Sequence, residues 1–145
     1  MSSNIYATCV SFNSKGILLL GASGSGKSDI ALRLIFSHNC TLIADDRVDL
    51  LQANGQILAS PPQSLQGLLE VRGLGIVNYP FIASIPVKVV VQLTSEVIER
   101  MPKPEFWDFE NIKIPLFKLN PSEVSCCEKI LTALRLSCDD LKNGG

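Results

Sequence analysis

The chain has 145 residues, 46% of them hydrophobic, and 13 basic against 14 acidic side chains give a formal net charge of −1. That length fits one domain with a sizeable core, and the charge balance argues against a nucleic-acid-binding face or a polybasic membrane anchor. Five cysteines, an odd number without C-x-x-C spacing, argue against a disulfide framework, Met1-Ser2-Ser3-Asn4 lacks the charged start and apolar stretch expected of a signal peptide, and no apolar run approaches the length of a membrane span. The expectation is one cytoplasmic domain over 1–145, its tail frayed from about residue 142, at Asn143-Gly144-Gly145.

In chain order, Gly16 to Leu20 is a short apolar run of the kind expected for a buried strand. It feeds Gly21-Ala22-Ser23-Gly24-Ser25-Gly26-Lys27-Ser28, a complete G-x-x-x-x-G-K-S sequence. Glycines let backbone N–H groups wrap around phosphate oxygens, Lys27 brings a point charge, and Ser28 offers a hydroxyl to magnesium. Ile30, Ala31, Leu34 and Ile35 then recur at helical spacing, so a helix dipole adds its positive end to the loop. Ser37-His38-Asn39 reads as the C-terminal turn of that helix, with His38, the only histidine, placed to interact with the dipole.

Thr41 to Ala44 gives a second strand ending in Asp45-Asp46-Arg47. An acid at such an edge beside a phosphate loop suits magnesium, which selects Asp45; Asp46 points another way and suits a general base toward an incoming hydroxyl. A solvated turn is the plainer account. Val48 to Leu51 and Ile57 to Ala59 flank Asn54-Gly55 as a hairpin, broken at Ser60-Pro61-Pro62. Leu68 to Asn78 reads as a functional loop carrying Glu70 and Arg72, for which a surface ion pair flanking a turn fits equally well.

Pro86 opens a central strand through Leu93, residues 102–107 read as irregular surface, and Ile112 to Leu119 look extended. Phe106, Trp107 and Phe109 fit either a docking patch or, more often for such aromatics, a cover over the core. Asn120-Pro121-Ser122-Glu123 has a capping residue, a proline and an acid in the order of a helix start, giving a C-terminal helix that buries Val124, Cys127, Leu131, Leu134 and Cys138.

Taken together, these segments resemble the bifunctional HPr kinase/phosphorylase family, in the short form found in alpha-proteobacteria without the separate N-terminal domain. The family joins a G-x-x-G-x-G-K-S loop, a V/I-A-D-D strand end and an L-E-x-R-G-L-G-I signature. Here these are Gly21 to Ser28, Ile43 to Asp46, and Leu69 to Ile76 with Val77 beyond, and the likeness runs from about Tyr6 to Pro115. It implies an α/β phosphate-loop kinase domain of the phosphoenolpyruvate carboxykinase type, with a central mixed β-sheet and flanking helices.

The resemblance further implies ATP- and Mg2+-dependent phosphorylation of a serine on an HPr-like phosphocarrier, and dephosphorylation by inorganic phosphate yielding pyrophosphate. Residue by residue, Lys27 binds the transferring phosphate, Ser28 and Glu70 hold magnesium with support from Asp45, Asp46 is the base and acid, and Arg72 serves both directions. A homo-oligomer, commonly a hexamer, is implied as well. Tyr6, preceding the first strand, stands where the family usually has a catalytic-site histidine, and the family's late R-P-G-R-N loop has no counterpart, no arginine following Pro115 until Arg135. A nucleotide sensor with weakened transfer, or a small-molecule kinase, are the competing readings; the N-K-x-D of guanine readout is missing.

Overall fold

Each apolar run that reads as extended in the sequence becomes a strand of one large sheet in the computed structural model, which describes residues 2–138. In chain order the elements are β1 (Ser2–Tyr6), β2 (Thr8–Phe12), β3 (Lys15–Leu20), α1 (Lys27–Ser37), β4 (Thr41–Ala44), β5 (Arg47–Ala53) and β6 (Gln56–Ser60). After a 3₁₀ turn at Gln63–Leu65 come β7 (Leu68–Val71), β8 (Gly75–Asn78), β9 (Ile85–Leu93), β10 (Glu105–Phe109), β11 (Ile112–Leu119) and α2 (Cys126–Leu136).

The sheet runs β1-β5-β6-β9-β3-β2-β4, with mixed parallel and antiparallel pairing. It forks at β9, whose start pairs with β6 at Pro86 and Ile85, and whose end pairs in parallel with β11 from Val90 to Leu93. β10 extends that second branch, and β7 and β8 form a separate two-stranded ribbon. Alternation along each strand divides the apolar side chains between two cores. Ile17, Leu19, Val89 and Val91 face the helices, where they meet Ile30, Ala31 and Leu34 of α1 and Cys127, Ile130 and Leu134 of α2. Leu18, Leu50, Ile57 and Val90 line the opposite face. Each fully buried leucine or isoleucine contributes about 1.5–3 kcal/mol of transfer free energy, so these faces fix where α1 sits.

Two register shifts break the alternation. Opposite Gly16 and Ile17, Lys88 is an extra residue between Val87 and Val89, which sends Val87 to the second core with Val90. Opposite Cys9 and Val10, Ile43 is extra between Leu42 and Ala44, so Ile43 and Ala44 both enter the second core. The next residue, Asp45, therefore turns to the helix face, alongside Thr8. A bulge of this kind re-aims a side chain at the cost of local pairing.

Four expectations change. The Leu68 to Asn78 segment is the β7–β8 hairpin, because Leu69 and Val71 alternate into the helix-side core while Glu70 stays out. Residues 105–107 belong to β10, and Tyr6 ends a strand of its own, paired with Arg47 of β5. The C-terminal helix begins at Cys126, after Ser125: the Asn120 side chain does accept the Ser122 N–H at 2.8 Å as a cap would, but the backbone behind it closes only isolated turns, from the Glu123 N–H to the Asn120 carbonyl at 3.2 Å and from the Cys126 N–H to the Glu123 carbonyl at 3.1 Å. Val124 is consequently exposed, whereas Cys127, Leu134 and Cys138 are buried and Leu131 packs against the core. Trp107 and Phe109, stacked with centroids 5.3 Å apart, cover the second core, and Phe106 is exposed. His38 closes α1, its N–H bonded to the Leu34 carbonyl and its Nε2 3.4 Å from a Glu128 oxygen of α2. Among the described residues no helix is long and apolar enough to cross a membrane. The tail at 143–145 lies outside them.

Candidate functional site

Between β3 and α1, residues 21–26 leave the sheet and double back, with the Ser25 N–H bonded to the Ala22 carbonyl at 3.0 Å. Gly26 caps α1 at φ 101°, a conformation that a residue with a Cβ adopts only under strain. No side chain caps this helix, and its first intrahelical bond runs from the Ile30 N–H to the Gly26 carbonyl, so the preceding amides have no partner within the helix. Ser25 Oγ is buried without a hydrogen-bond partner. Free amides, a helix N-terminus and an orphan hydroxyl make a cradle for an oxyanion.

Lys27 opens α1 only 6% exposed. Its ammonium donates to the Gly21 carbonyl at 2.7 Å and the Ala22 carbonyl at 3.0 Å, and lies 4.4 Å from the centroid of the Tyr6 ring. Among the described residues no carboxylate lies within ion-pair distance of it. One of the three ammonium donors is left for an arriving anion.

Asp45, 5% exposed, is the hub of the site. Its Oδ1 accepts from Thr8 Oγ1 at 2.8 Å and from Ser28 Oγ at 2.7 Å, and its Oδ2 accepts the Glu70 backbone N–H at 3.1 Å. The carboxylate thereby ties together β2, the start of α1 and the hairpin ribbon. Because Ser28 gives its proton to Asp45, the lone pairs of its oxygen are free to face a cation. Among the described residues no three His, Cys, Asp or Glu side chains converge as a metal group. Magnesium takes one or two protein carboxylates and completes its shell with water and substrate phosphates.

Asp46 diverges from its neighbour sharply. The Arg47 N–H reaches back to the Asp45 carbonyl at 2.8 Å, and Asp46 between them has φ 73°. A three-residue turn with positive central φ is rare and strained, and it presents the Asp46 carboxylate to solvent. Glu70 lies on the outer face of β7, rooted by its N–H on Asp45. Arg72 is exposed in the hairpin turn, where Gly73 supplies φ 91°, and the two are not ion-paired with each other among the described residues. The structure thus gathers Lys27, Ser28, Asp45 and the Glu70 backbone, sets Asp46 beside them, and leaves Arg72 two residues beyond the anchored strand position. Thr8 and the ring of Tyr6 were not singled out for these contacts from sequence. A lone threonine in the apolar stretch Ala7 to Val10 was the available sign of a buried polar partner.

The cysteines are not part of this site. All five are buried, and burial pushes Cys40 up to about 12 and Cys126 up to about 11. A cavity of about 750 Å³ lies between the 97–106 segment, β11 and the end of α2, and no residue of the loop or of the Asp45 network lines it.

Curled mixed sheet, glycine-rich loop and two helices on one face define an α/β domain, and the same fold occurs in the solved Hpr(Ser) kinase/phosphatase from Coxiella burnetii. The TM-score is 0.83 at 23% identity, covering 99% of each chain. The family model described as HPr Serine kinase C-terminal domain matches residues 1–120, and the chain belongs to that family. Curated relatives include the HPr kinase/phosphorylase of Clostridium tetani, 49% identical over 65 residues, and that of Lactobacillus delbrueckii subsp. bulgaricus, 42% identical over 77 residues. Those stretches are 45% and 52% of this chain, and 21% and 24% of the relatives' length.

Proposed function

We propose that this domain is an ATP- and Mg2+-dependent protein-serine kinase acting on an HPr-like phosphocarrier, and that the same site runs the phosphorolytic reverse reaction. The observation that carries the reading is the Asp45 network, in which one buried carboxylate bonds both Ser28 of the glycine-rich loop and the Glu70 N–H of the hairpin. Two motifs separated by some forty residues thereby meet at the place where phosphoryl transfer needs a metal-bearing wall. When bound, ATP supplies the phosphoryl group and Mg2+ offsets its charge.

Lys27 and the open amides at the start of α1 hold phosphate oxygens, Ser28 turns its lone pairs toward the cation, and Glu70 adds a carboxylate from the hairpin. Serine is a weak nucleophile at neutral pH, so Asp46, exposed on its strained turn, accepts the proton of the acceptor hydroxyl. With inorganic phosphate as nucleophile the same carboxylate returns that proton to the departing serine oxygen, and pyrophosphate leaves. Arg72 on the hairpin turn is the cation available to an incoming protein-bound phosphate.

The test is incubation of the protein with Mg2+, γ-labelled ATP and an HPr protein. Serine-linked label on HPr supports the proposal. ATP binding without label transfer would refute the kinase and favour a nucleotide sensor, and turnover of small acceptors in the absence of HPr would favour a small-molecule kinase.

A further inference from the structure

Lys27 presents an electrostatic puzzle. The residue is almost fully buried, yet among the described residues its ammonium has no ion-pair partner. Water is therefore largely replaced around it by protein groups: the carbonyls of Gly21 and Ala22, and the face of Tyr6 with its centroid 4.4 Å from Nζ. An aromatic face carries negative quadrupole potential, and its attraction for a cation is strongest where water is excluded. Tyr6 itself is 39% exposed, so it is not held there as a core side chain. Its backbone, at the end of β1, is paired with Arg47, whose guanidinium carbon lies 5.7 Å from the same ring centroid.

We infer that Tyr6 is a positioning residue for the phosphate cradle, fixing the Lys27 ammonium through the face of its ring. The inference rests on the proposed function in that it takes the cradle to bind nucleotide phosphates. Two carbonyls and one ring hold the ammonium without spending a full counter-charge on it. A carboxylate in place of the ring would neutralise the cation and compete with the incoming phosphate. The ring holds the cation and leaves its charge unneutralised. Arg47, drawn to the same ring, adds a second cation next to Asp46, so a single aromatic side chain organises the positive potential of this corner.

Calorimetric titration of MgATP and of inorganic pyrophosphate into the parent, Tyr6→Phe and Tyr6→Leu proteins tests this without requiring transfer. Tyr6→Phe, which preserves the ring, should bind within about twofold of the parent. Tyr6→Leu should bind about 2- to 30-fold more weakly, the range expected for a partly desolvated cation–π contact. In a Lys27→Met background, Tyr6→Leu should cause no further loss, because the ring acts through that lysine. Equal weakening by the Phe and Leu variants, or an undiminished effect of Tyr6→Leu in the Lys27→Met background, would overturn the inference. Failure of the parent itself to bind either probe would instead overturn the proposed function, and with it the premise used here.

Discussion

Replacing Asp46 separates two features that this residue combines, the carboxylate proposed as base and an unusual backbone. At φ 73°, closed by the 2.8 Å bond from the Arg47 N–H to the Asp45 carbonyl, position 46 strains a residue with a Cβ by about 1–3 kcal/mol, aspartate and asparagine bearing positive φ better than alanine and glycine being free of the cost. Asp46→Asn should therefore unfold within about 0.5 kcal/mol of the parent, and Asp46→Gly close to it, since relief of strain offsets the looser unfolded chain. Asp46→Ala should lose about 1 kcal/mol, a drop of roughly 2–4 °C in midpoint for a chain of this size. All three lack the carboxylate, so labelled-phosphate transfer to HPr should fall ~10²–10⁴-fold in each, in both directions. The measurements are thermal or urea unfolding alongside initial rates with ATP binding checked separately. Transfer by Asp46→Asn at the parent rate would refute the base assignment, and an alanine variant as stable as the asparagine variant would refute the strained turn.

Three further outcomes are expected. Thr8→Val, nearly isosteric and fully buried, removes one donor from the Asp45 carboxylate, so urea unfolding should show a loss of about 1.5–3 kcal/mol; an unchanged midpoint would mean that the 2.8 Å bond contributes nothing. Asp45→Asn no longer orients Ser28 as a carboxylate does, and titration of Mg2+ into the ATP-bound protein should show about 10- to 100-fold weaker metal affinity, with parent-like affinity counting against the metal role. Cys40, pushed up by burial from 9.0 to about 12, stays protonated when folded while the unfolded thiol ionises. Its contribution is therefore whole below pH 9.0 and lost as the pH rises toward about 12, so the stability gap between the parent and Cys40→Ala should narrow across that window, at most ~1.4 kcal/mol per pH unit. A gap that is constant from pH 8 to 11 would rule this out.

The elements that could be read from sequence are those whose information is local. The run Ile17 to Leu20, the β-branched stretch Val87 to Val91 and the Asn54-Gly55 turn each carry their own conformational preference, and all fold as expected. The glycine-rich loop was legible for the same reason. What escaped depends on competition or on distant partners. Asn120 makes the side-chain bond of a helix cap, to the Ser122 N–H, but the backbone after it forms two separate turns and the helix waits until Cys126. Gly73 and Gly75 made the hairpin look like a loop, although both sit where the turn and its exit need positive φ. The divergence of Asp45 from Asp46 was anticipated in direction, yet its cause, an extra residue at Ile43 followed by a strained three-residue turn, exists only once β4 has paired with β2.

That pairing also bears on how the chain selects its own fold. β4 is the last strand of the sheet's path, and an edge strand of four apolar-rich residues has little in its side chains to forbid a slip by one position. Straightening the bulge would bring Asp45 opposite Ala7, which has no hydroxyl, instead of alongside Thr8. A carboxylate stripped of that donor in the interior costs on the order of 1–3 kcal/mol or more, and the misregistered strand would lose the Ser28 contact with it. The residue assigned to the metal wall is thus also the one that checks the alignment of the strand carrying it. A chain folded in the wrong register is penalised at the same carboxylate on which the proposed metal site rests.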